Sequence, residues 1–279
     1  MTRVAAAFPA RLHALLARDA PVGVVIRRGP ARRVALIGWE RDGDRFRVGQ
    51  WLAGRIYERR CDLSPDGRHL IYFAMNGRWS GPAKGAWTAV SRAPYLKALA
   101  LWAKGDCWQG GGLFLSNGTY WLNGGCLHEL LQDDSRLDAT MDCPWPERYG
   151  GECPGVYYHR LQRDGWAMQY TAPDGEGGQV TRFDKRLNDH WRLRKLACAT
   201  LHRAPGRGVY FDRHQLWNAR SGETIDLPAW EWAELDRDRI VWAEAGCLFA
   251  ARVKRAGMGP ARRLADFNGL AFERLAAPY

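Results

Sequence analysis

The chain has 279 residues, 46% of them hydrophobic, with 14 tryptophans and 31 glycines. Its net charge of +11 comes from 41 Lys and Arg against 30 Asp and Glu; such a field attracts nucleic acid, anionic membrane or acidic protein, although an Arg-rich proteome gives the same count. No window approaches the ~18 apolar residues of a membrane span, which excludes a helical membrane protein.

The N-terminal segment predicts a short helix. Over residues 5 to 18 the apolar residues fall near one face, and Pro9 is tolerated in a first helical turn. We expect this helix, within residues 1–20, to pack outside the main fold, or alternatively to bind a partner. Arg11 and His13 interrupt the apolar core that a signal peptide needs. Together with seven cysteines that form no Cys-x-x-Cys pair, this predicts a cytoplasmic protein with reduced thiols.

From residue 21 onward the sequence predicts strands separated by tight turns. Asp42-Gly43 between two apolar runs is a strong hairpin signal, and many Trp, Tyr and Phe residues favour pleated surfaces. The first predicted strands cover 22–27, 33–39, 46–51 and 54–59, with a turn at Gly29-Pro30.

The segment Cys61–Ala74 is the clearest unit. Pro65 presets φ for a turn, and Gly67 accepts a positive φ without steric cost. The following run Leu70–Phe73 is continuously apolar, which predicts a strand buried on both faces.

The residues Leu63–Tyr72, with their Ser-Pro-Asp-Gly turn, resemble the core of WD40-like β-propeller repeats of the TolB type. The resemblance covers this one unit, and the chain has no Gly-His…Trp-Asp signature. It implies a propeller scaffold and carries no catalytic residues with it, because such repeats serve many unrelated proteins.

Similar strand–turn–strand units recur down the chain. Their predicted strands and turns cover 95–102, 112–122, 156–161, a turn at 163–165, 166–171, 193–201, 205–208, 209–211, a turn at 212–214, 215–217, 224–227, 231–235, 239–243 and 247–253. Roughly five units at this spacing predict an all-β fold, a single β-propeller of about five blades at residues 21–279. Six or seven blades, an irregular β-sandwich and a two-domain split are the alternatives.

The least regular region is 127–155, which is rich in Pro and Gly, and long irregular loops are usually functional or mobile. Trp145, Arg148 and Tyr149 lie in it, and these residue types dominate binding hot spots. We therefore predict that they bind a macromolecular partner.

Other chemistry has weaker signals. Cys143, Cys153, His128 and His159 lack the paired spacing of a zinc site, so no metal or cofactor is predicted. Several acids suit an axial carboxylate pair of a glycoside hydrolase, but no motif selects two of them. These acids are Asp106, Asp138, Asp142, Glu147 and Asp184.

Basic and aromatic residues interleave at 189–195, followed by the pair His202-Arg203. Such interleaving binds single-stranded nucleic acid, or else marks a strand with solvated arginines. The prediction is a non-catalytic binding or scaffold protein for a partner with an acidic surface; the alternatives are a glycoside hydrolase-like enzyme and a nucleic-acid binder.

Overall fold

In the computed structural model the protein is built mainly from antiparallel strands. The structure describes residues 8–29, 32–175, 177–200 and 208–279. Within them it contains one α-helix, two short 3-10 helices and 24 strands, which confirms a mainly β fold. The chain divides into two compact units, Met1–Arg160 with Gly269–Tyr279, and Leu161–Asn268. The blade count and the boundaries 1–20 and 21–279 stay predictions.

The first unit contains three sheets. Its strands are β1 (Arg11–Leu16), β2 (Val22–Arg28), β3 (Arg33–Glu40), β4 (Arg45–Ala53), β5 (Arg55–Ile56), β6 (Asp62–Leu63), β7 (His69–Met75), β8 (Ala86–Arg92), β9 (Ala98–Ala103), β10 (Gly112–Phe114), β11 (Thr119–Leu122), β12 (Glu129–Asp133) and β13 (Asp138–Thr140), with 3-10 helices at Glu58–Arg60 and Gly125–Leu127. The first sheet has the order β1-β2-β3-β4; the second is β12-β9-β8-β7-β5, with β6 also on β7; the third is β10-β11-β13. Consecutive strands are mostly neighbours, as short hairpin turns dictate.

The second sheet is buried on both faces. Leu70 and Tyr72 contribute to a core shared with Leu36 of the first sheet. Ile71 belongs to a different core, shared with Phe114 of the third sheet. All five side chains are at most 2% exposed, so the prediction for the apolar run after the Ser-Pro-Asp-Gly turn is confirmed.

The turn itself has the predicted geometry. The Gly67 amide donates to the Ser64 carbonyl (2.8 Å), and the Ser64 hydroxyl donates to Asp66 Oδ1 (2.6 Å). Gly67 has φ +73°, and a Cβ there would lie 2.2 Å from Val22 Cγ2. Glycine is therefore required both by the backbone and by the close approach of β2.

The predicted N-terminal helix is wrong over residues 11 to 16, which form strand β1 in register with β2. Four consecutive residues, from Leu12 to Leu15, are buried. A strand covered on both faces buries every residue, so the helix-like spacing of the leucines was not decisive. Residues 5 to 7 lie outside the described residues.

The predicted strand at 156–161 is also wrong, because Pro154–Arg163 is an α-helix, α1. Pro154 stands at its first position, where proline costs no hydrogen bond. At the other end Gly165 (φ +87°) donates to the Gln162 carbonyl, and Trp166 donates to the Leu161 carbonyl. This is a Schellman cap, so Asp164-Gly165 ends a helix instead of turning a hairpin.

The second unit contains a five-stranded, a four-stranded and a two-stranded sheet. Its strands are β14 (Ala167–Pro173), β15 (Gln179–Arg186), β16 (Trp191–Ala199), β17 (Tyr210–Asn218), β18 (Thr224–Leu227), β19 (Trp232–Asp236), β20 (Arg239–Glu244), β21 (Cys247–Ala251), β22 (Val253–Lys254), β23 (Gly257–Met258) and β24 (Arg262–Asp266). The five-stranded sheet is β14-β15-β16-β17-β18, the four-stranded sheet is β19-β20-β21-β24, and the two-stranded sheet is formed by β22 and β23.

One predicted turn in this unit is wrong and others fall outside the description. Asp212–His214 is the middle of strand β17, paired along its whole length with β16. Continuous cross-strand pairing there overrides the local turn signal of an Asp. The pair His202-Arg203, most of the turn 205–208 and the Pro of Gly29-Pro30 lie outside the described residues.

Candidate functional site

The predicted irregular region 127–155 is irregular only in part, since it includes strands β12 and β13 and the first residues of α1. Residues 141–153, which carry the three predicted binding residues, have no regular secondary structure, and we call them the binding loop. The loop lies beside helix α1, where Leu113, Trp121 and Val156 form a small core against which Trp145 packs.

Two loop rings enclose one histidine of α1. Trp145 stacks on His159 with centroids 4.6 Å apart and planes at 17°, and it meets Trp121 edge-on at 5.4 Å. Tyr149 lies 4.8 Å from His159 and 5.3 Å from Tyr158. His159 is 3% exposed, so the loop is held on the helix by aromatic packing.

Burial lowers the pKa of His159 below its usual value. The charge of Glu147 raises the pKa and that of Arg148 lowers it, so the loop's own charges oppose each other at this ring. The imidazole is therefore neutral near pH 7 and acts as a packing surface, the common role of a buried ring between aromatics.

An ion pair fixes the far end of the loop. Glu152 accepts a hydrogen bond of 2.6 Å from Arg60, whose side chain is fully buried. Arg60 also donates to the Cys107 carbonyl (2.7 Å) and lies 4.7 Å from the Tyr57 ring centre. Sequence reasoning missed Arg60, because one arginine of the pair at 59–60 carries no local signal of burial.

The three predicted site residues therefore differ in role. Trp145 and Tyr149 are half-buried and attach the loop to α1, whereas Arg148 is exposed. The loop presents a cation to solvent on a segment whose two ends are fixed.

A second candidate surface lies on one face of the five-stranded sheet. Strand alternation separates the interleaved residues of 189–195: Trp191 and Lys195 are buried, while Arg192 and Arg194 lie on the opposite, half-exposed face. We call this half-exposed side the outer face; its register-matched residues are Tyr170, Arg182, Asp184, Arg186, Arg192, Arg194, Leu196, Arg213, Gln215, Trp217, Thr224 and Asp226.

At the centre of the outer face two arginines share one carboxylate. Arg182 Nη2 lies 2.5 Å from Asp184, and Arg194 Nε lies 3.3 Å from it. The two guanidinium groups lie 5.7 and 5.0 Å from the ring centre of Trp217. The hydrogen bond to Asp184 raises the pKa of Arg182, so the charge is permanent.

The inner face of the same sheet carries a buried ionic cluster. Lys185 Nζ lies 2.6 Å from Glu234, and the Trp166 indole donates to the same carboxylate at 2.8 Å. Lys195, 1% exposed, lies 4.3 Å from the Trp166 ring centre. Burial alone would raise the pKa of Glu234, but the charges of both lysines and these hydrogen bonds outweigh it and lower the pKa.

The remaining candidates do not assemble into one site. In the described parts of the chain no three His, Cys, Asp or Glu side chains are arranged to hold a metal ion. His128 contacts the Thr88 hydroxyl and the Gly124 carbonyl, and all seven cysteines are free thiols. Among the acids, Asp106 pairs with Lys104, while Asp138, Asp142 and Glu147 are exposed.

The sequence matches no protein-family model and no curated protein. Among solved structures it is similar to the crystal structure of Saccharomyces cerevisiae Sqt1, at 10% identity over 85% of this chain and 70% of that one, with a TM-score of 0.28. A similarity at that score supports no inference about function. No helix among the described residues is long and apolar enough to cross a membrane.

Proposed function

We propose that the chain is a non-catalytic binding or scaffold protein of β-propeller type, acting in the cytoplasm, that engages a protein with an acidic surface through Trp145, Arg148 and Tyr149. The observation that carries the proposal is the loop 141–153, irregular in backbone yet fixed at His159 and at Arg60.

A loop held in this way binds with a smaller entropic cost. Ordering a free loop opposes association, and rigid segments avoid that cost. The stack of Trp145 on His159 and the pair of Glu152 with Arg60 order the loop in advance. Arg148 then offers a permanent charge at a defined place, and the net charge of +11 steers an acidic partner toward it.

The state of the candidate acids supports binding over hydrolysis. Asp106 is neutralised by Lys104 at 2.7 Å, and Asp184 by two arginines. Both carboxyls are therefore engaged in structural ion pairs, whereas a glycosidase needs a carboxyl that is free to donate a proton to the leaving group.

The test is affinity capture from the source organism with Arg148→Glu as the informative variant. Arg148 is exposed, so the change leaves the aromatic packing of the loop intact. We expect Arg148→Glu to abolish recovery of a protein that the unaltered chain captures. Arg68→Glu, an equal charge change at a side chain 81% exposed, is the matched control and retains it. Equal recovery by both variants would remove the loop as the binding site.

A further inference from the structure

The outer face of the five-stranded sheet is strongly basic. Its strands carry five arginines, Arg182, Arg186, Arg192, Arg194 and Arg213, and two acids, Asp184 and Asp226. Among the described residues of the outer face there is no lysine, since the side chains of Lys185 and Lys195 lie on the inner face beside Trp166.

The same face exposes aromatic rings beside the guanidinium groups. Tyr170 is 48% exposed and its ring centre lies 5.9 Å from Arg182. Trp217 is half-buried, flanked by Arg182 and by Arg194. Tyr170 is paired with Arg182 in register, and the same row continues through Leu196 of β16 to Arg213 of β17, so the row carries one ring and two guanidinium groups.

We propose that this outer face binds single-stranded nucleic acid. Phosphates pair with the arginines, and a base stacks on the exposed ring of Tyr170. This site shares no residue with the loop at Arg148 and does not depend on the function proposed for that loop.

One feature favours nucleic acid over an acidic protein. Arginine binds phosphate and carboxylate bidentately alike, so the guanidinium groups suit either partner, and the exposed aromatic ring makes the difference. An exposed tyrosine on a sheet gives each base a flat surface to stack on, and bases of every sequence have such a face. An acidic peptide has no comparable use for Tyr170.

The experiment is fluorescence anisotropy of the full chain with a labelled oligothymidine of about 12 nucleotides, at several salt concentrations. We expect binding that weakens steeply with salt, since each released phosphate counterion contributes about 0.7 to the logarithmic slope. Tyr170→Ala weakens binding by about tenfold through lost stacking. Arg213→Glu weakens it further at low salt and reduces the slope. Both residues are exposed, and circular dichroism verifies the fold of each variant.

Controls separate the alternatives. Arg68→Glu makes the same charge change at an exposed residue that is not part of the outer face, and leaves the affinity within about twofold because no phosphate contact is lost. Arg148→Glu also leaves it unchanged, so the two proposals fail independently. Absence of oligothymidine binding at low salt overturns the proposal. The proposal also fails if polyphosphate competes as strongly as unlabelled oligothymidine and Tyr170→Ala does not change the affinity. Binding of polyglutamate alone, lost in Arg213→Glu, overturns it in favour of an acidic protein.

Discussion

Each face of the five-stranded sheet contacts one cluster of two cations, one carboxylate and one tryptophan, and the two clusters have different roles. The inner cluster comprises Lys185, Lys195, Glu234 and Trp166, and the outer cluster comprises Arg182, Arg194, Asp184 and Trp217.

The two clusters differ in the burial of the tryptophan and of one cation. Lys195 and Trp166 are each 1% exposed and out of reach of a ligand, whereas Lys185 and Glu234 are 15% and 13% exposed and join β15 to β19 through their ion pair. The outer side chains of Arg182 and Arg194 are 21% and 12% exposed and keep donors that water or a ligand can reach. We conclude that the inner cluster is structural and that the outer cluster is available for binding.

The largest difference in unfolding free energy is expected between variants of the two tryptophans. Trp166→Ala removes a fully buried ring and the hydrogen bond to Glu234, and costs about 4 kcal/mol of unfolding free energy. Trp217→Ala removes a half-buried ring and two cation–π contacts, and costs about 1 kcal/mol. Urea unfolding of both variants measures the difference, and equal losses would contradict the assignment of the faces.

The two carboxylates extend the same contrast. Glu234→Gln removes the negative charge that faces Lys185 and the fully buried Lys195, and lowers the unfolding free energy by about 3 kcal/mol. Asp184→Asn costs about 1 kcal/mol, because neither of its two arginines is fully buried as Lys195 is. If Asp184→Asn lowers the unfolding free energy more than Glu234→Gln under identical conditions, the inner cluster is not the structural one.

A smaller effect is expected on the stability of the chain at acid pH. Because the pKa of Glu234 is lowered by folding, the unfolded chain binds more protons in acid, and the free energy of unfolding decreases as the pH is lowered. The contribution of Glu234 is complete above the ordinary carboxyl pKa of about 4.3 and is lost as pH falls through the folded value. We expect the stability gap between the unaltered chain and Glu234→Gln to be constant near pH 7 and to narrow below about pH 4. A gap that widens in acid would exclude this role.

Much of the strand layout is predictable from the sequence, because turn chemistry is local. Ser64, Asp66 and Gly67 determine their turn through bonds within a few residues, and Asp42-Gly43 lies in the short turn that joins β3 to β4. The errors occur where tertiary contacts decide: Leu15 of β1 is buried in a core formed with residues of the second sheet, and α1 packs its Val156 on the third sheet.

The candidate sites divide in the same way. The Pro and Gly content of 141–153 indicates an irregular loop. The stacking of Trp145 on His159 is a tertiary contact, and no residue spacing in the sequence indicates it. The outward position of Arg192 and Arg194 follows from strand alternation alone. To predict that Trp217 lies beside them, one must know the register between β16 and β17, which no local sequence pattern specifies.

The most direct test of the account is covalent footprinting of the folded chain by mass spectrometry, with arginine-selective and lysine-selective reagents, with and without oligothymidine. The account predicts that Arg192 and Arg213 react and are protected by the oligonucleotide, while Lys195 stays unreactive in both samples. Labelling of Lys195 in the folded chain, or arginine reactivity that the oligonucleotide leaves unchanged, would contradict it.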